Sequence, residues 1–220
     1  MQFNQVKPSI LSSVAQTVAR HLLDVQAVRL RPADPFTWSS GWKSPIYCDN
    51  RVTLAYPQVR TFIKQELADA VREQFPEAQV IAGVATAGIP QGALVADELG
   101  LPYCYVRPEP KKHGMGNQIE GRLAAAQKVV VVEDLISTGG SSLKVVEALR
   151  QAGADVIGMI AIFTYGFSVA DENFKKAGVK LVCLSEYDTL VLEAQTLNYI
   201  PADALDSLSA WRKNPSEWGN

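Results

Sequence analysis

Glu133 and Asp134 stand side by side where a run of four valines ends, in the stretch "KVVVVEDLISTGGSS" (residues 128–142). Such a β-branched run reads as a strand buried on both faces, as in a parallel sheet. Ligands of open α/β sheets lie beyond the carboxyl ends of the strands, which is where the sequence puts the two acids. The turn that follows, "STGGSS", carries glycines that permit tight backbone geometry. Successive N–H groups at a helix start then make an anion cradle. Carboxylates beside such a cradle repel a bare phosphate. They suit a ligand with hydroxyls next to its phosphate, because an ionised carboxylate accepts hydrogen bonds from a diol. A ribose 5-phosphate has both groups.

Other phosphate motifs fail here. A Walker A loop needs a lysine after its glycines, and none follows Gly139 and Gly140. The GxGxxG dinucleotide fingerprint is also absent from this turn. A plainer reading makes the turn a helix cap, with Ser141 or Ser142 as the capping residue.

The elements needed to hold this strand tip are legible on both sides. Ile10, Val14, Val18 and Leu22 share one face of a helix over 10–22, where His21 reads as structural. "FTWSSGWKSPIYCDNR" (36–51) reads as a short hairpin, and a helix follows Pro57 to about Phe75. From residue 79, strands ("QVIAGVA", "PYCYVRP", 129–133, "DVIGMIAIF", "VKLVCLSE") alternate with helices ("IPQGALVADELG", "SSLKVVEALRQAG"). That alternation predicts an α/β fold with a parallel sheet flanked by helices. The polar stretch 108–127 is long for a loop in such a domain and is therefore expected to be functional.

At 220 residues the chain is long enough to bury a core without disulfide or metal staples. Cys48, Cys104 and Cys183 form no CxxC pair and read as reduced thiols. A net charge of −2 gives no electrostatic case for nucleic acid. No apolar run is long enough to span a membrane. The N-terminal residues lack a signal-peptide pattern, so a cytoplasmic protein is expected.

The run 128–142 resembles the phosphoribosyl pyrophosphate (PRPP) signature of type I phosphoribosyltransferases. "YVRPEPKKHGMGNQIEG" (105–121) resembles the mobile catalytic loop of the orotate phosphoribosyltransferases, and 36–51 resembles their segment near the base. "GVATAGIP" (83–90) matches their pyrophosphate-contacting loop. The resemblance implies a single domain over 1–220, with a base-binding hood over about 1–56 and an α/β core over about 57–220. It implies transfer of a phosphoribosyl group from PRPP to orotate, with Mg²⁺ bound mainly through PRPP. Carried over residue by residue, Arg107, Lys111 and His113 contact pyrophosphate, and Lys111 and Asp134 are the catalytic candidates. Glu133, Asp134, Leu135, Ile136, Ser137, Thr138, Gly139, Gly140 and Ser141 hold the ribose phosphate, with Ser137 also facing orotate. No protein metal ligands are implied. The partners implied are orotate, PRPP and a second copy of the chain, in a homodimer that shares its active sites, with neither nucleic acid nor membrane.

Some positions depart from that pattern. Ser39, Ala87 and Pro108 stand where some members carry cations, and "FTYGF" (163–167) offers no arginine for the orotate carboxylate. Backbone amides near Lys43, Ser44 and Ile46, or Tyr47, are candidates for the base, and Trp38 and Trp42 fit either the pocket or the core. Two further readings remain at this point: the same chemistry on a purine or another base, and a PRPP-sensing regulator.

Overall fold

The valine run forms the middle of a six-stranded sheet. The computed structural model describes residues 12–38, 41–107 and 118–219. In chain order these form α1 (Ser12–Asp24), β1 (Val28–Leu30), β2 (Phe36–Thr37), β3 (Lys43–Ser44), β4 (Ile46–Cys48) and a 3-10 turn (Asn50–Ala55). Then come α2 (Pro57–Gln74), β5 (Val80–Val84), α3 (Gly88–Leu99), β6 (Tyr103–Val106), β7 (Ile119–Gly121) and β8 (Lys128–Ile136). The chain closes with α4 (Gly140–Gln151), β9 (Asp155–Thr164), α5 (Ser168–Ala177), β10 (Leu181–Glu186), α6 (Tyr187–Thr196) and α7 (Ala204–Lys213).

The main sheet has the order β10-β9-β8-β5-β6-β7, parallel except for β7. Alternation along β8 explains its unbroken apolar sequence. Val130 and Val132 enter one core with Ile63 and Leu67 of α2 and Leu22 of α1. Val129 and Val131 enter the other, with Val145 and Leu149 of α4 and Phe174 of α5. All four valines are fully buried, and each such burial is worth on the order of 1.5–3 kcal/mol.

The connections matter most for function. β5 leads through α3 to β6 on one side, whereas β8 leads through α4 to β9 on the other. The neighbours β5 and β8 therefore form a topological switch point, the place where such sheets open a ligand crevice. The turns after them, 85–87 and 137–139, face that crevice.

Three features depart from the expectations. Part of the polar stretch is an edge strand, β7, pairing Glu120 with Tyr105; three residues are too few to show an alternation. β8 runs past the acids to Ile136, because Leu135 and Ile136 keep pairing with Phe163 and Thr164 of β9. The expected hairpin is present as β2–β3, but β4 turns away to pair with β1. α1 packs on α6 and β10, tied by a Ser185 Oγ bond to the Ala15 carbonyl (2.8 Å) and an Arg20–Glu193 ion pair (3.0 Å). His21 meets Phe62 edge-on at 5.1 Å, a packing role.

Candidate active site

β8 outruns its neighbour on one side: the pairing with β5 stops at Val132, so Glu133 and Asp134 begin where that ladder ends. Glu133 is buried, only 6% exposed, and its two oxygens are held separately. The Asp134 N–H donates to Oε1 at 3.0 Å, and the Ser142 hydroxyl donates to Oε2 at 2.9 Å. Burial, and then the charge of Asp134, push the Glu133 carboxyl up to about 8, with the Ser142 bond pulling back. Asp134 is partly buried and its carboxyl is also raised, by burial, against the opposing pull of Glu133 and the Arg51 cation. Arg51 itself is forked onto Asp49, with Nε and one terminal nitrogen at 2.7 and 2.9 Å from the carboxylate.

Below the acids the chain makes the cradle. Gly139 has φ +77, and a Cβ there would meet the Phe174 ring at 2.6 Å, so glycine is required. α4 then starts at Gly140 with no side-chain cap. The plainer reading of Ser141 or Ser142 as a cap does not hold: no side chain caps α4, and Ser142 is buried and turned onto Glu133. The first N–H groups of a twelve-residue helix are thereby left for a ligand, with the helix dipole favouring an anion. Thr138 is exposed, and its carbonyl accepts from Asn173 Nδ2 at 2.9 Å, which pins the turn to α5. Ser137 is half-buried; Leu135 and Ile136 remain in β8.

Across the crevice, α3 begins at Gly88 directly over β8, where a Cβ would stand 2.6 Å from the Val132 carbonyl. Tyr103 of β6 donates to the Ile89 carbonyl at 2.7 Å and fixes that first turn. The peptide between Ala85 and Thr86, in the turn before α3, is cis. Arg107 follows β6, two strand positions from β8 and thus about 10 Å away at ordinary strand spacing. It is close to Glu120 (3.6 Å), and its carbonyl accepts from Gln118 Nε2 at 2.9 Å. Lys111, His113, Ser39 and Pro108 lie outside the described residues.

On the other side, the segment around Trp38 packs against the end of β9 and α7. Trp38 packs tilted on Tyr165 at 5.4 Å and edge-on to the buried Trp211 at 5.6 Å, and its indole donates to the Ile46 carbonyl. Trp42 is exposed. The Ile46 amide is bonded to Ser44 Oγ at 3.2 Å, which removes it from the candidates for the base. Tyr165, in "FTYGF", donates its N–H to the Ile136 carbonyl at 3.1 Å, and Arg212 holds the carbonyls of Tyr165 and Gly166. Sequence reasoning missed Ser142 and Asn50. Asn50 is fully buried and donates from Nδ2 to the Asp134 carbonyl at 2.7 Å. Nothing in the local pattern signals either contact, since each joins segments distant in sequence or in face.

Acids at a switch point above an uncapped glycine turn suit a sugar phosphate, and the class follows from comparison with known proteins. The family model described as "Phosphoribosyl transferase domain" matches residues 53–187. The orotate phosphoribosyltransferase of Cytophaga hutchinsonii is 59% identical over 201 residues, 91% of this chain and 96% of that protein. That of Streptococcus pneumoniae is 57% identical over 206 residues, 94% of this chain and 98% of that protein. Among solved structures, orotate phosphoribosyltransferase from Aeropyrum pernix matches at TM-score 0.73 with 33% identity, over 84% of this chain and 99% of that one. The chain belongs to the orotate phosphoribosyltransferase family.

Proposed function

We propose that the chain transfers the 5-phosphoribosyl group from PRPP to orotate, giving orotidine 5′-phosphate and pyrophosphate in pyrimidine biosynthesis. The observation that carries this reading is the Glu133–Asp134 pair, set at the switch point directly ahead of the uncapped start of α4. The names of the relatives, orotate phosphoribosyltransferases at 54–59% identity, support orotate as the base.

In this account Glu133 and Asp134 accept hydrogen bonds from the ribose hydroxyls. The backbone and hydroxyls from Leu135 through Ile136, Ser137, Thr138, Gly139 and Gly140 to Ser141 wrap the 5-phosphate. Ser137 also turns toward orotate. The bond from the ribose C1 to the pyrophosphate oxygen breaks as a ring nitrogen of orotate, its proton given up to solvent, bonds to C1. The ribose passes through a cationic, oxocarbenium-like state while negative charge gathers on the leaving group. Arg107, Lys111 and His113 neutralise that charge, with Lys111 the leading catalytic cation, and Asp134 steadies the ribose. The hood of residues 1–56 covers the base and the core of 57–220 holds PRPP.

Mg²⁺ fits this site as a companion of PRPP. Among the described residues no three His, Cys, Asp or Glu side chains could together hold a metal ion. The oxygen ligands of Mg²⁺ would come mainly from PRPP, with the strand-tip carboxylates kept for the ribose hydroxyls. Bound there, it would add charge stabilisation to the departing pyrophosphate. The working unit is a homodimer in which Lys111 serves the partner's site. Among the described residues no helix is long and apolar enough to cross a membrane, and the cytoplasm is the proposed location.

The test is pyrophosphate release from PRPP and Mg²⁺ with a panel of orotate, uracil, hypoxanthine and guanine. Release that depends on orotate is expected. Release with a purine and not with orotate would overturn the assignment of the base.

A further inference from the structure

Three buried polar side chains run behind the site and none is used by the chemistry above. Asn50, Thr53 and Gln91 are each at most 1% exposed. Asn50 Nδ2 donates to the Asp134 carbonyl at 2.7 Å, and Asn50 Oδ1 accepts from the Cys48 thiol at 3.4 Å. The Thr53 hydroxyl donates to the Asn50 carbonyl at 2.6 Å. Gln91 Nε2, from the first turns of α3, reaches Thr53 Oγ1 at 3.4 Å, while its Oε1 is buried with no hydrogen-bond partner among the described residues.

Buried polar groups cost stability unless they are bonded, and Gln91 Oε1 is left unbonded among the described residues. An apolar packing at these positions would be the cheaper way to fill a core. What the polar chain does instead is join three separate parts of the crevice. Asn50 sits at the end of the hood, beside β4. Asp134 lies on the edge of β8 that lost its β5 partner at Val132, so the Asn50 amide supplies a donor where a strand neighbour would have stood. Gln91 belongs to the helix that follows the 85–87 turn.

We propose that Asn50, backed by Thr53 and Gln91, is a positioning residue that sets the register between the hood, the ribose-binding acids and the turn before α3. It touches no substrate. It fixes the backbone of Asp134, and through it the direction in which that carboxylate leaves the strand. The inference rests on the proposed function for the identity of the ligand, PRPP.

The test is calorimetric titration of the full chain with PRPP and Mg²⁺ in the absence of base, beside KM for orotate and thermal unfolding. Asn50→Ala should weaken PRPP binding about tenfold and raise KM for orotate by several-fold while remaining folded. Thr53→Val, which keeps the shape and removes the hydroxyl, should weaken PRPP binding about threefold. The double variant should bind PRPP no more weakly than Asn50→Ala alone, because the two act as one unit. A purely structural role would lower the unfolding temperature and leave PRPP affinity of the folded protein unchanged, and that result would overturn the proposal. Should Asn50→Ala not fold, Thr53→Val decides: unchanged PRPP affinity there also overturns it. A wild-type chain that binds PRPP but ignores orotate would sink the choice of base alone, so the two failures are distinguishable.

Discussion

The Ser142 hydroxyl donates a 2.9 Å hydrogen bond to Glu133 Oε2, so the first turn of α4 is joined to the tip of β8 through the acid itself. The helix start proposed to hold phosphate and the acid proposed to hold ribose are thereby one rigid unit. Ser142→Ala should lower stability by about 1 kcal/mol, measured by denaturant unfolding. It also removes a bond that holds the Glu133 carboxyl down, so any pH-dependent limb of kcat/KM for PRPP should move to higher pH.

Asp134→Asn keeps the shape of the strand tip and replaces a charged acceptor with a neutral amide. Charge-assisted bonds to the ribose diol are the stronger kind. The variant should lose on the order of 1.5–3 kcal/mol of transition-state binding, read as a fall in kcat/KM for PRPP with the fold retained. Wild-type kcat/KM would remove Asp134 from the diol.

The Glu133 carboxyl, ordinarily at 4.5, is held up to about 8, chiefly by burial. Between those values the folded chain keeps a proton that the unfolded chain has released. This contribution to stability is therefore complete below 4.5 and is lost as pH rises through about 8. The unliganded protein should unfold at lower temperature as pH is raised across that window. Glu133→Gln, which cannot ionise, should flatten that part of the profile. PRPP use should show the opposite slope, rising toward pH 8 as Glu133 becomes an acceptor for the diol.

The chemistry of the site was legible where it is local in sequence. Four valines, two acids and the glycine turn lie within fifteen residues, and their strand-to-helix geometry follows from β-branching and the missing Cβ at Gly139. The alternation of strands and helices likewise carried the parallel sheet. What escaped was made by tertiary contact. Ser142 reads as a helix cap until the sheet brings Glu133 beneath it. Asn50 reads as one polar residue in "CDNR" until β8 outruns β5 and leaves the Asp134 carbonyl exposed to it. β7 was hidden because an edge strand of three residues has no period to detect.

The shared site can be tested by mixing. Lys111→Ala and Asp134→Asn should each be strongly impaired alone, the latter about ten- to a hundredfold as predicted above. If Lys111 acts across the interface, a mixed dimer has one site with both lesions and one with neither. Random pairing makes half the dimers mixed, so about a quarter of all sites should recover after subunit exchange. A mixture no more active than its parents, with exchange verified independently, would assign Lys111 to its own chain.

Simultaneous measurement of orotate consumed and pyrophosphate released decides whether this strand tip holds PRPP for attack by orotate. With PRPP and Mg²⁺, equal amounts of the two are expected, with little turnover of uracil, which lacks the carboxylate of orotate. Equal turnover of uracil, or pyrophosphate released without loss of orotate, would contradict that role.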